Sequence, residues 1–270
     1  MFIALPPSEG KTPPTTGPAL NLDTLSFLHD DVPARAAHQT VAQGLAQVSG
    51  GPHWSKVLGI SERLADQAAW NLNLDTAPCA PAAEVYTGVL YDAAGLSSVN
   101  LPAAAAAGAR VGIFSGLWGV VDPSDLIPAY RLAMGVSLPG IGRLATHWKP
   151  VLANTLAPWA AGLVVDCRSA DYAAAWNPGP DAEVVQIRAA QERNGVRKTI
   201  THFAKHARGV LTGHLLRRSA TAVPQDAGQV ADAAAELLGE QFGNSGTLKA
   251  VELSAPRGAV VELTLVLSPE

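Results

Sequence analysis

Cysteine is scarce: Cys79 and Cys167 are the only two. Two thiols do not make a disulfide framework, and such a chain fits a reducing, cytoplasmic location. Long apolar runs are missing as well. None approaches the ~20 residues of a membrane span, so no membrane partner is expected. The opening MFIALPP lacks a basic n-region and a long apolar h-region and does not read as a signal peptide. Net positive charge is lacking too. The formal charge is −4, unlike a dedicated nucleic-acid binder. Disorder is excluded by what is present, since 48% of the 270 residues are apolar and can build a substantial core.

A nucleotide-binding P-loop is absent despite a suggestive string. ALPPSEGKTPP, residues 4–14, ends its SEGKT in the Gly-Lys-Thr of G-x-x-x-x-G-K-[ST]. The first glycine of that motif would fall at Leu5. Pro6 and Pro7 supply no backbone N–H where phosphate would need one. Pro13 and Pro14 occupy the start of the would-be phosphate-binding helix. What remains is Ser8, Glu9 and Lys11 on a stiff loop after a strand: a solvated turn, or a hydroxyl, a carboxylate and an ammonium serving a site.

Charge is unevenly spread. Residues 188–218 hold eight Lys/Arg against Glu192 alone, about +7, which leaves about −11 for the rest. Such a region suits an anionic partner, DNA or a small anionic ligand, unless it is merely a solvated face. Within it, RKTITHFAKHARGVLTGHLLRR (197–218) places Ile200, Phe203, Ala204, Ala207, Val210, Leu211 and Leu215 on one helical stripe. Lys205 and Arg208 share a face. Gly209 and Gly213 mark either a break or the close approach of another backbone or a ligand. His202 and His206 have the i,i+4 spacing of a metal pair but lack the Glu of H-E-x-x-H and a third ligand, so no metal site is assigned.

Apolar runs bounded by turn residues predict strands at MFIAL, 110–116, 162–167, 182–188, 248–254 and AVVELTLVL near the end. Helices are expected over 34–48, 54–74, 143–157, 197–218 and 226–241, with a short one in the alanine-rich 102–109. No repeat or long linker interrupts the chain. Strands at both ends favour one α+β domain spanning 1–270.

Several segments carry site chemistry. FSGLWGVVDPSDLIPAYRLAMG (114–135) follows a strand and offers Ser115, Asp125 as a cap or a general base, and Tyr130 beside Arg131, a phenol and a guanidinium able to grip an anion. VYTG (85–88) offers Tyr86. DCRSADY (166–172) offers Ser169 and Tyr172, with Arg168 beside Cys167; a buried, inert thiol is the expectation there. LPGIGR (138–143) looks like the turn of a helix-hairpin-helix. So does SKVLGISERLADQAAWNL (55–72), where Gly59-Ile60-Ser61 joins two helical pieces and Ser61 caps the second.

Taken together, VYTG, FSGLWGVVDPSDLIPAYRLAMG, SADY and FAKHARG, in that order and spacing, resemble the YaaA family of bacterial peroxide-stress proteins across essentially the whole chain. LPPSEGK resembles the N-terminal loop of actinobacterial-type members. VLGISERLADQAAWNL resembles the family's helix-hairpin-helix-like segment, which makes LPGIG the decoy. The resemblance implies a single α+β domain, a mixed central sheet flanked by helices, a basic cleft, no cofactor, and DNA binding that limits iron-dependent oxidative damage. Carried over by position, it assigns Ser8, Lys11, Tyr86, Ser115, Arg131, Ser169, Tyr172, Lys205 and Arg208 to the cleft, with Ser61 and nearby amides holding one more phosphate. The alternative is an enzyme on a small anionic, nucleotide-like substrate, with Glu9 or Asp125 as base and Lys205 or Tyr86 as acid. The chain departs from the family at Lys149, where a carboxylate is common, at His206, a frequent lysine, and at Cys167-Arg168.

Overall fold

The computed structural model describes residues 1–194, 196–199, 202–219 and 222–268, with the side chains of 198, 199, 202 and 203 outside that description. Ile200, the side chains of His202 and Phe203, and hence the histidine pair, lie outside the described residues.

The fold is α+β. Its main sheet contains β1 (Phe2–Leu5), β2 (Arg110–Ser115), β3 (Gly119–Val121), β4 (Gly162–Asp166), β5 (Ala182–Arg193), β6 (Val196–Thr199), β7 (Thr247–Leu253) and β8 (Val260–Ser268). The order is β7-β8-β5-β4-β1-β2-β3, with β6 paired to β5. Strands β8, β5, β4, β1 and β2 run parallel. β3, β6 and β7 are antiparallel additions, so the sheet is mixed. β1 is buried along its whole length, which is why it reads as unbroken apolar sequence. Its Phe2 ring stacks on Trp159 and meets Trp176 edge-on, and Trp118, Trp148 and Trp176 are fully buried.

Helices flank the sheet: α1 (Val32–Ser49), α2 (Trp54–Leu58), α3 (Ala65–Ala69), α4 (Val89–Ala94), α5 (Leu144–Thr155), α6 (His202–Arg218) and α7 (Ala227–Ala235). α1 starts at Asp31, whose carboxylate accepts from Ala34 N at 2.9 Å, with Pro33 in the first turn. The helix expected over 197–218 begins only at His202. Residues 196–199 instead pair with 190–193 as a strand, after Asn194 takes a left-handed turn at φ 52°. α6 does not break at its glycines. A Cβ on Gly209 would lie 2.2 Å from the Leu90 carbonyl oxygen, and one on Gly213 2.3 Å from that of Ala94. The backbone of α4 therefore packs directly against α6.

The stretch 54–74 is two short helical pieces rather than one helix. α2 ends at Gly59 (φ 66°), with Gly59 N and Ile60 N both donating to Ser55 O. A 3₁₀ turn (Glu62–Leu64) then leads into α3. LPGIGR is a β-hairpin: Ser137–Leu138 pairs antiparallel with Gly142–Arg143, so it is no helical hairpin.

Candidate functional site

The chain leaves β1 toward β2 on one side. It returns to β4 on the other side and continues away to β5. β1 and β4 are thus the neighbours whose onward connections diverge, and the crevice beyond the carboxyl ends of such strands is where parallel sheets receive ligands. The loop after β1 is Pro6–Lys11, and the loop after β4 carries Arg168, Ser169 and Tyr172.

The first loop is pinned. Lys11 bridges Tyr86, Thr12 N donates to Val85 O at 3.0 Å, and Ser8 Oγ donates to Thr87 O. Lys11 Nζ donates to Ser8 O at 2.8 Å and lies 4.3 Å from the Tyr130 ring centroid and 5.3 Å from that of Tyr86. Burial brings this ammonium down to about 7; Glu9 opposes the fall and Arg131 adds to it. Arg131 is already held. Its Nη2 lies 2.7 Å from Glu9 Oε2, and its Nη1 donates to Glu9 O (2.8 Å) and Gln67 Oε1 (3.2 Å). It clamps the β1 loop to the 55–72 segment instead of offering an open anion grip.

Beneath the loop runs a buried hydroxyl chain. Ser115 Oγ accepts from Leu117 N and Trp118 N, both at 3.1 Å, which uses its two lone pairs. Its proton therefore goes to Tyr130 Oη at 2.6 Å, and Tyr130 donates to Tyr86 Oη at 2.8 Å. Burial holds both phenols well above their usual range. Tyr86 and Ser115 are fully buried and face neither cavity described next.

Two cavities meet at the crevice. The wider, about 900 Å³, runs from His53, Lys56 and Gly59 past Leu138 to Asp171. The narrower, about 350 Å³, lies between Pro6–Gly10, Thr87–Tyr91, Lys205 and Arg208. Glu9, Ser169 and Tyr172 line both, so the two form one trough. It brings together Ser8, Glu9, Ser169, Tyr172, Lys205 and Arg208, with Lys11 and Arg131 behind the Glu9 wall. Three cations (Lys56, Lys205, Arg208) face two carboxylates (Glu9, Asp171), a smaller excess than the run 188–218 suggests. The reason is spatial. Arg188 pairs with Glu262, Arg197 with Glu192 and Glu252, and Arg218 with Glu236, all away from the trough.

Other sequence candidates lie elsewhere. Asp125 is buried, and its carboxylate accepts from Ser26 N, Ser26 Oγ and Asp122 N. That makes it a loop cap and not a general base. Burial nevertheless lifts its pKa, partly offset by those bonds. Ser61 is exposed and receives Arg63 N at 3.3 Å as a cap; its neighbour Gly59, not Ser61, lines the trough. Burial pushes the Cys167 thiol up to about 12. Arg168 is committed to Asp166 through Nε (2.9 Å) and Nη2 (2.8 Å) and lies over the Phe114 ring.

Residues 1–232 match the family described as peroxide stress protein YaaA. The chain belongs to the YaaA family. A UPF0246 protein of Streptomyces coelicolor is 41% identical over 220 residues, 80% of this chain and 83% of that protein. UPF0246 proteins of Corynebacterium efficiens (38% identical; 87% of this chain and 91% of that protein) and Corynebacterium glutamicum (37%; 93% and 100%) are also similar. Membership of the YaaA family places the chain among peroxide-stress proteins.

In this YaaA-family chain, two residues escaped the sequence reading. Asn71 is buried and brackets the Arg131 backbone, accepting from its N (2.8 Å) and donating to its O (3.1 Å). Gln67, one turn earlier, touches the Arg131 guanidinium. Isolated amides carry no periodic signal; only their place in the 55–72 segment pointed toward them.

Proposed function

We propose that the trough binds DNA and that this binding shields it from iron-dependent oxidation during peroxide stress. The supporting observation is the trough's layout. The Gly59 turn and Lys56 stand at one end, Lys205 and Arg208 at the other, and no carboxylate lies within ion-pair distance of Lys56 or Lys205 among the described residues. Glu9 and Asp171 are the carboxylates of its lining, and the charge of Glu9 is matched by Arg131. Three cations on phosphate give a log–log salt slope of about −3. Lys56→Ala and Lys205→Ala each flatten that slope by about one unit. A slope of zero for the wild-type protein in a fluorescence-anisotropy titration overturns the reading.

A second reading is an enzyme acting on a small anionic, nucleotide-like substrate. Lys11 supports it, because an ammonium near neutrality beside Glu9 and Arg131 is suited to proton transfer. Turnover of a nucleotide by the wild type, lost in Lys11→Met, would favour this reading.

A further inference from the structure

The narrow end of the trough has a shape that phosphate contacts alone do not require. Its volume of about 350 Å³ lies in the range of about 300–1,000 Å³ found for cavities that enclose a small molecule. It cannot admit a duplex, whose major groove alone is about 12 Å wide. Its lining is largely apolar and includes the stiff pair Pro6–Pro7 together with Val89 and Leu90. Several wall hydroxyls bond the scaffold. Tyr91 Oη donates to Pro6 O at 2.7 Å, Ser8 Oγ to Thr87 O, and Tyr172 Oη accepts from Met134 N at 3.4 Å. The charge is local: Lys205 is exposed at the edge, and Arg208 is fixed by Nε and Nη2 to Ile187 O at 3.1 and 3.0 Å. Arg208 Nη1 has no partner among the described residues.

We infer that this crypt holds a single unstacked nucleotide, its base between Pro7 and the Val89–Leu90 wall and its phosphate at Lys205 and Arg208. The inference rests on the DNA-binding reading and sharpens it to one nucleotide drawn out of the strand. A small, largely apolar cavity with Lys205 and Arg208 in its lining matches a base joined to a phosphate, and extrusion is least costly where the base is mispaired. Glu9 lines the same cavity and offers a carboxylate acceptor to an exocyclic amino group.

The test uses the full chain and an end-labelled duplex carrying 2-aminopurine opposite a mismatch. Anisotropy reports binding, and 2-aminopurine emission reports unstacking. The expected result is a several-fold rise in emission on binding, lost in Val89→Trp, which fills the slot. In parallel, wild-type protein is titrated with a deoxynucleoside monophosphate and with inorganic phosphate. Tighter binding of the nucleotide is expected, so the inference remains testable even where Val89→Trp does not fold. Salt-dependent DNA binding with flat emission and no preference for the nucleotide over phosphate overturns the crypt and leaves the DNA reading standing. Preference for the free nucleotide without any DNA binding supports the crypt and overturns the DNA reading.

Discussion

Replacing Gly209 by alanine sets two effects of opposite sign against each other. In an exposed helix the change stabilises by about 1 kcal/mol through helix propensity alone. Here the added Cβ would lie 2.2 Å from the Leu90 carbonyl oxygen and 2.8 Å from Ala93 Cβ. Neither neighbour is the free end of a flexible side chain. α4 and α6 must therefore part by roughly an ångström, and overpacking of this kind costs about 1–3 kcal/mol, at times more. The clash meets backbone, so the upper end of that range applies, and the net expectation is a loss of about 1–2 kcal/mol. For a chain this long that lowers Tm by about 2–8 °C, at about 2–4 °C per kcal/mol. Thermal melts of wild type and Gly209→Ala at one pH and salt concentration measure it. A variant that melts at the same or a higher temperature refutes the close packing of the two helices, and with it the position of the Val89–Leu90 wall.

Lys11 has a depressed value in the folded protein, about 7, against an ordinary lysine value when unfolded. Between those values the unfolded chain binds more protons, so stability rises with pH from about 7 towards 10. The stability advantage of Lys11→Met over wild type is accordingly largest below pH 7 and shrinks by pH 9.5, as urea melts at both pH values would show. Arg168→Ala strips Asp166 of its buried partner and lowers stability by about 3–5 kcal/mol in the same melts. Both cysteines are buried, and burial raises both thiols, so native protein at pH 8 shows no fast-reacting thiol toward a disulfide reagent until denaturant is added. One rapidly titrating equivalent contradicts this.

Much of the framework was legible because its signals are local. The strands at 2–5, 110–115, 162–166 and 260–268 are short apolar runs closed by turn residues, and α1 and α7 are amphipathic with an aspartate cap. β6 was not legible. Its residues are charged and follow on into a helical pattern, and only cross-strand pairing of Arg197 with Glu192 and Glu252 sets it apart. The charge of 188–218 was legible as a sum and not as a surface, because a strand and a helix send alternate side chains to different places. Asp125 shows the same limit. A carboxylate in a loop reads equally as base or cap until Ser26, 99 residues away in the chain, is seen to occupy it. The trough depends on which strands are neighbours, and that is a property of topology that no window of sequence holds.

The placement of β1 has a bearing on how the molecule assembles. Its backbone is satisfied on one side by residues near 110 and on the other by residues near 164. A ribosome adding about 5–20 residues per second delivers the second partner roughly ten to thirty seconds after Phe2–Leu5 has been made. Through that interval a bare, oily ribbon with an unclaimed edge waits in solution, a natural target for a chaperone and a seed for misassembly. The crevice beyond β1 and β4 cannot take shape until that wait is over, so a nascent chain of the first hundred residues carries the site's loop without the site.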